Sequence, residues 1–248
     1  AATGLACPRP IPRDDGGLVA EAPDGRLASL VAWIAARPLG PSAFAGAAGA
    51  ERMRRLGAML ARMHAATDRL RVDAGALPRW DADTLVGETP VWGRFWQNPV
   101  LSPDESDLLN AVRVMVGRRL ADMAAPDIGP IHADLLPDNL LDDGTRLWII
   151  DFDDCGIGYR GYDLGTALIA HVESPAYADL AAALVAGYAS RRPGSAHLAG
   201  ELPLFVLLRA LASCGWIASR AAPDDPRQRA YADRALRLAA RFMSRAMV

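Results

Sequence analysis

The sequence predicts an α+β fold, with a small β piece at its N-terminal end and a mainly helical body that one β-rich insert interrupts. Three observations carry this reading. Residues 18–21 and 27–34 form two short strand-like runs around the turn Pro23-Asp24-Gly25. Apolar residues then recur at three- and four-residue steps over 51–70 and 102–123, the period of helices that bury one face. Between 129 and 162 this period gives way to short apolar runs separated by turns, and from 163 onward it returns. The chain has 248 residues, near the upper limit of what a single core supports, so one domain or two unequal lobes are expected. Hydrophobic residues make up 51% and charged residues 23%, enough apolar material to offset chain entropy and to exclude disorder as the dominant state.

The elements follow in chain order. Residues 1–17, rich in Pro and Gly, read as an extended loop. The helix over 51–70 carries the stripe Met53, Leu56, Leu60, Met63, Thr67 and Leu70. Residues 75–101 read as irregular and hold Trp80, Trp92, Phe95 and Trp96, which suit core packing better than an aromatic pocket for a cation. Ser102-Pro103-Asp104-Glu105 is a helix start with Ser as N-cap and Glu in the capping-box position. Ser174-Pro175 and Asp225-Pro226 read as further N-caps followed by Pro. The most apolar stretch, 202–219, is interrupted by Pro203 and Arg209 and falls short of a membrane span.

A net charge of −2 gives no basic surface for nucleic acid. Three separated cysteines, Cys7, Cys155 and Cys214, with no C-x-x-C, suggest reduced thiols and a cytoplasmic setting. All 27 basic residues are Arg. The chain begins without Met or a signal-peptide pattern, which suggests an internal starting point or a processed end.

The chemistry concentrates in the insert. Two apolar runs, 140–142 and 146–150, are joined through Asp143-Gly144, a strong hairpin signal. Folding there brings Asn139 and Asp151 together across the hairpin base. An amide oxygen and a carboxylate so placed are hard-oxygen ligands suited to Mg²⁺ held together with phosphates. Asp134 lies five residues before Asn139 in a loop constrained by Pro137, near the same point and able to accept a proton. This is the layout of a phosphoryl-transfer site.

The order His132-x-Asp134-Leu-x-x-x-Asn139, a buried strand, then Asp151-Phe-x resembles the catalytic loop and metal-binding Asp of kinases. Here the chain resembles the aminoglycoside phosphotransferase-like family, the small-molecule branch of the protein-kinase-like superfamily. The resemblance extends through residues 158–165, Gly-Tyr-Arg-Gly-Tyr-Asp-Leu-Gly, and back through 56–64, Leu-Gly-Ala-Met-Leu-Ala-Arg-Met-His. It implies a two-lobed fold with residues 1–40 as a partial N-lobe (its last strands and hinge) and 41–248 as the C-lobe. By it Asp134 is the catalytic base, Asn139 and Asp151 hold Mg²⁺, Trp33, Ile34 and Ala35 meet ATP at the hinge, His132 orients the loop, and Asp163 bonds backbone below it. The implied activity is transfer of the γ-phosphoryl of ATP to a hydroxyl of a small-molecule alcohol by a cytoplasmic monomer that needs neither nucleic acid nor membrane.

Three departures matter. Ala133 replaces the Arg of H-R-D, and nothing like A-P-E follows Asp151, both of which point away from a protein kinase. The family's glycine-rich loop and Lys are absent from these residues, so the resemblance begins midway through the small lobe and an N-terminal truncation is expected. The 248 residues by themselves are then expected to bind ATP weakly, with the cleft open on one side and apolar residues among 18–34 exposed. A silent pseudokinase that only binds is the alternative reading. A phosphatase reading of Asp151-x-Asp153 wants Thr or Val at position 155, which is Cys. Asp153 and Asp154 could join the metal or remain solvated, and His64 reads as a core or cap residue. From residue 201 onward eight Arg stand against four acids. That balance disfavours a polycationic acceptor and is compatible with an amino acid or other anionic alcohol.

Overall fold

The computed structural model describes residues 5–69, 75, 77–222 and 224–246. Strands β1 (Ala20–Glu21) and β2 (Leu27–Ala28) form the expected hairpin, its turn carrying Gly25 at φ +79°. The run 27–34 is strand only over its first two residues. Its later part pairs with the N-terminal segment instead, through a bridge between Pro10 and Val31 and a hydrogen bond from Ile11 N–H to the Leu30 carbonyl (2.8 Å). The supposed N-terminal loop is therefore partly a ladder. Leu27 (74%), Leu30 (62%) and Trp33 (92%) are exposed, as expected for this region.

Strand β3 (Arg37–Pro38) leads to α1 (Ala47–Thr67), which starts four residues before the predicted helix. Leu70, the last member of the predicted stripe, lies outside the described residues. The region read as irregular contains β4 (Arg79–Trp80) and the short α2 (Ala82–Val86), started by a capping box between Asp81 and Thr84. Helix α3 (Pro103–Ala121) begins with the expected capping box of Ser102 and Glu105. Then follow β5 (Ile128–Ile131), β6 (Leu140–Asp142), β7 (Leu147–Ile149) and β8 (Gly156–Tyr159). Helices α4 (Arg160–Ile169), α5 (Tyr177–Ala189), α6 (Leu198–Arg220) and α7 (Pro226–Ala246) complete the chain. Helix α5 starts two residues later than Ser174-Pro175 predicts, since the Ser174 hydroxyl accepts from Ala176 N–H (3.2 Å) in a turn before it. Asp225 caps α7 as expected, accepting from Arg227 N–H (2.9 Å).

Two three-stranded sheets frame the insert. In one, β6 pairs antiparallel with β3 and β7; in the other, β8 lies between a parallel β4 and an antiparallel β5. Helix α4 is buried along its whole length and packs on α6, α6 packs on α7, and α1 packs on α5. Each large apolar side chain so buried contributes about 1.5–3 kcal/mol. Among the described residues one helix, α6 with the turn before it, is long and apolar enough to cross a membrane; 78% of its apolar window is buried within the protein.

The α1–α5 crossing is set by two glycines. A Cβ on Gly57 would lie 2.1 Å from the Leu184 carbonyl oxygen, and one on Gly187 would lie 1.9 Å from that of Arg54. Backbone meets backbone there, so neither helix can accept a methyl group. An ion network closes the far end of this layer. Buried Arg160 pairs with Asp68 and with Asp127 (3.2 Å), and Arg192 pairs with the same two carboxylates (2.8 and 3.0 Å). Burial opposes ionisation of Asp68, but the hydrogen bond from Arg192 and the charge of Arg160 outweigh it and hold its pKa low.

Substitution Gly187→Ala is expected to lower stability by about 1–3 kcal/mol, a fall in Tm of roughly 2–10 °C. Gly200, on α6 with open space around its would-be Cβ, is the contrast: Gly200→Ala should leave Tm unchanged or raise it slightly. Thermal melts followed by circular dichroism check both.

Candidate active site

The hairpin forms as the sequence predicts, with Leu140 opposite Ile149 and Asp142 opposite Leu147. Gly144 in its turn has φ +88°. The Asp143 carboxylate accepts from Thr145 N–H (2.8 Å), Arg146 N–H (2.8 Å) and the Trp148 indole N–H (2.7 Å), a side-chain substitute for backbone turn bonds. The Thr145 hydroxyl also donates to it (2.6 Å), and this bond, then that from Trp148 and those from the backbone N–H groups, hold its pKa far below the usual carboxylate range. At the base of the hairpin Ile150 N–H donates to the Asn139 carbonyl (3.0 Å), so Asn139 stands at the end of one arm and Asp151 follows the other. A single 3₁₀ turn, Pro137–Asn139, feeds the first arm.

The loop before it, 132–134, hangs from one buried carboxylate. Asp163, on α4, accepts from His132 N–H (2.9 Å) and from Ala133 N–H (2.8 Å). The same carboxylate meets His64 Nε2 of α1 (3.0 Å), and His64 Nδ1 meets the Tyr188 hydroxyl of α5 (2.8 Å). Burial lowers the His64 pKa more than Asp163 raises it, so the ring is neutral. Burial disfavours the Asp163 anion, but hydrogen bonds from His64 and the His132 backbone prevail and its pKa is lowered. The pair is thus a neutral imidazole donating from Nε2 to an ionised carboxylate, with the tyrosine hydroxyl donating to Nδ1. His132 performs a second suspension. Its Nε2 donates to the Ile150 carbonyl (2.9 Å), its Nδ1 accepts from Asp134 N–H (3.3 Å), and its ring packs on Phe152 (4.7 Å). Loop and hairpin end are therefore one unit. Ala133 (φ +67°) and Asp151 (φ +64°) both adopt left-handed backbone there, which is unfavourable for a non-glycine residue and persists only under such restraint.

Asp134 lies beside Asn139. The Asn139 amide nitrogen donates to the Asp134 carbonyl (2.8 Å) and to its Oδ2 (3.1 Å), which leaves the amide oxygen of Asn139 free to bind elsewhere. Asp134 Oδ1 accepts from the Arg209 guanidinium (2.7 Å), a nearly buried cation on α6 that also lies 4.6 Å over Trp92. Asp134 and Arg209 line a cleft of about 270 Å³ together with Asp154, Trp216, Tyr231 and Arg234. Burial, then the Asp134 and Asp151 carboxylates, raise the pKa of Asp154 against the pull of Arg209, so three acids share one field.

Other predicted residues fall elsewhere. Trp33, Ile34 and Ala35 border a separate groove of about 330 Å³ with Cys7, Asp143 and Trp148. Asp151 and Asp153 are exposed. Trp80, Phe95 and Trp96 are core residues; of that aromatic group only Trp92 reaches the Asp134 cleft. His171 packs on Phe44, and His197 bonds the Gly194 carbonyl. Sequence reasoning did not assign His64, Arg209, Arg234, Trp216 or Tyr231 to this region. An arginine within the apolar run 202–219 was the available signal for Arg209.

The family model described as "Phosphotransferase enzyme family" matches residues 1–200. A homoserine kinase of Methylobacterium radiotolerans is 31% identical over 216 residues, 82% of this chain and 61% of the relative. One of Rhizobium etli (strain CIAT 652) is 32% identical over 213 residues, with coverage of 82% and 61%. The chain thus spans about three fifths of the length of these curated relatives. Among solved structures, a microcompartment-associated aminopropanol kinase superposes with a TM-score of 0.80 at 29% identity, covering 97% of this chain and 76% of its own. A choline kinase of Streptococcus pneumoniae superposes with a TM-score of 0.68 over 96% of this chain and 75% of its own; at 16% identity it shares the fold. The protein-kinase-like α+β architecture expected from the sequence is the one these structures have.

The His64–Asp163 pair sets a pH dependence of stability. Both folded pKa values lie below the unfolded ones, so the unfolded chain takes up protons first and stability falls on acidification. The His64 contribution is lost below about pH 6.5 and that of Asp163 below about pH 4. His171, lowered by burial, adds to the first interval. Tm should therefore fall between pH 7 and pH 5. His64→Gln should lower Tm at pH 7 and make that fall shallower; a mutant curve parallel to the wild type would assign the acid sensitivity elsewhere.

Proposed function

The chain belongs to the phosphotransferase enzyme family, and from that premise we propose that its protein transfers the γ-phosphoryl of ATP to a hydroxyl of a small molecule. The observation that carries the reading is the joint placement of Asp134, Asn139 and the residue Asp151 at one hairpin base, with the loop fixed by Asp163 and His132. Asp134 orients the acceptor hydroxyl and receives its proton as the new O–P bond forms and the bond from the γ-phosphorus to the bridging oxygen of ADP breaks. Asn139 and Arg209 fix the Asp134 carboxylate so that it meets the hydroxyl in one orientation. Residues 33–35 would border the nucleotide base.

The donor set fits Mg²⁺. Asn139 retains its amide oxygen, and Asp151 has no ion pair among the described residues. No group of three or more His, Cys, Asp or Glu among the described residues could hold a metal by itself, which suits an ion that completes its shell with phosphate and water oxygens. When bound, the ion neutralises charge on the transferring phosphoryl group. The three thiols are free, which supports a cytoplasmic setting. The relatives named above act, by their names, on homoserine, aminopropanol or choline. These acceptors share a hydroxyl and a cationic nitrogen and differ in whether they carry a carboxylate.

In the intact protein Asp134→Asn should lower turnover by about 10²–10⁴-fold while leaving Mg-nucleotide affinity nearly unchanged. Asp151→Asn should weaken Mg-nucleotide binding as well as rate, because a charged ligand is removed from the ion. Steady-state kinetics paired with calorimetric titration of Mg-ADP separate the two; interchanged effects would reverse the assignment of roles.

A further inference from the structure

We propose that the molecule carries a second ligand site, remote from Asp134, in which four arginines receive a short phosphate chain. The site is a groove between α1, the turn of the hairpin and the end of α5. It stands independently of the phosphotransferase reading.

The groove encloses about 530 Å³, more than the Asp134 cleft, and falls in the range of small-molecule sites. Its lining includes Arg55, Arg62, Arg146 and Arg191 and no acidic residue. Among the described residues none of the four makes an ion pair. The Arg55 guanidinium donates to the Thr145 carbonyl (3.2 Å), and that of Arg146 lies 5.5 Å over the Trp148 ring. The contrast with the next residue in the chain is direct: Arg192 is paired with Asp68 and Asp127, whereas Arg191 lines the groove. Four like charges around one concavity repel one another, and an anion seated among them relieves that repulsion.

The spacing of the charges selects the kind of anion. Arg55, Ala58, Met59 and Arg62 recur at three- and four-residue steps, so they form one stripe of α1. An arginine stands at each end of that stripe, with about 10 Å of helix between the two. Positive charge is thus spread along the groove rather than gathered at one point. Linked phosphates set one anionic group beside each guanidinium in turn, and the guanidinium fork matches phosphate oxygens in pairs. The floor is apolar, with Ala58 between the arginines and Met59 and Leu147 buried beneath. It offers no partner to the N–H and C=O groups of an acidic peptide, whereas a phosphate chain needs only the donors at the rim. Thr145, Arg146 and Leu147 belong to the hairpin whose other end carries Asn139 and Asp151. A bound chain would therefore tie the hairpin turn to α1 and to the end of α5.

The test titrates the intact protein with sodium tripolyphosphate in EDTA, so that no Mg²⁺ draws phosphates to Asn139 and Asp151. Calorimetry should show binding that weakens as salt is added. Arg62→Gln combined with Arg191→Gln should weaken it by about tenfold or more. Arg62→Lys should cost less than Arg62→Gln, since charge is kept and only the fork is lost. Asp151→Asn should leave the affinity unchanged. At ten times the dissociation constant, tripolyphosphate should raise the wild-type Tm by roughly 3–6 °C, and the same concentration should raise that of the double variant by about a third as much. Melts without ligand verify folding, and either single substitution serves if the double variant unfolds. GTP in the same buffer identifies the source of the chain. If the affinity that the double variant loses is greater for GTP than for tripolyphosphate, the ligand is a nucleoside polyphosphate; if it is equal, the phosphate chain alone is read. The proposal is overturned if tripolyphosphate does not bind, or if the double variant binds it as tightly as the wild type. It is equally overturned if Asp151→Asn weakens binding as much as the double variant does, or if a hexaglutamate peptide binds the groove more tightly than tripolyphosphate.

Discussion

The structure of the site depends on the carboxylate of Asp163. It is fully buried, and its two oxygens accept from two successive backbone N–H groups, those of His132 and Ala133. Those bonds hold Ala133 at φ +67°, a conformation that costs about 1–2 kcal/mol for a residue with a Cβ. The next residue is Asp134, so the strained step at Ala133 is what turns the Asp134 side chain toward Asn139 and Arg209. A buried carboxylate without compensation would take up a proton and lose one acceptor. His64, reaching it from α1 and itself bonded to the Tyr188 hydroxyl of α5, prevents this. The loop that carries Asp134 is thereby tied to three helices that lie behind it.

That dependence explains why the α1–α5 crossing must be close. His64 lies on α1 and Tyr188 on α5, and the two helices approach backbone to backbone at Gly57 and Gly187. The glycines contribute nothing chemical, yet they set the distance across which the Tyr188 phenol meets the His64 imidazole that bonds Asp163. Packing tens of residues away in sequence thus reaches the Asp134 loop through hydrogen bonds of fixed length. His132 adds the link in the other direction, from the loop to the Ile150 carbonyl and so to Asp151.

What was legible in the sequence was local. Asp143-Gly144 between two apolar runs specified the hairpin, Ser102 and Glu105 specified a helix start, and the five-residue step from Asp134 to Asn139 specified a shared neighbourhood. The missed features are pairings across long separations. His64 and Asp163 lie 99 residues apart, and Arg209 and Asp134 lie 75 apart. No periodicity records such a partnership, and an imidazole on an apolar helix face reads the same whether it packs or bonds. The sheet of β4, β8 and β5 was missed for another reason. Two residues of β4 pair with a glycine-containing strand, Gly156–Tyr159, too short and too weakly patterned to show a period of two.

The absence of lysine from this chain bears on how the site is built. A buried cation must satisfy several donors, and the planar guanidinium can bridge two partners at once where an ammonium acts as a point charge. Arg160 spans Asp68 and Asp127 beneath α4, and Arg209 joins Asp134 on one side to the face of Trp92 on the other. In both places one residue fixes the angle between two elements as well as neutralising a carboxylate. Replacement of such a residue by Lys would keep the charge and lose the angle, since nothing then holds Trp92 and Asp134 in a common orientation. The Asp134 carboxylate is therefore positioned by two devices of different kinds, a buried anion that shapes the backbone before it and a buried cation that orients its side chain, and neither can substitute for the other.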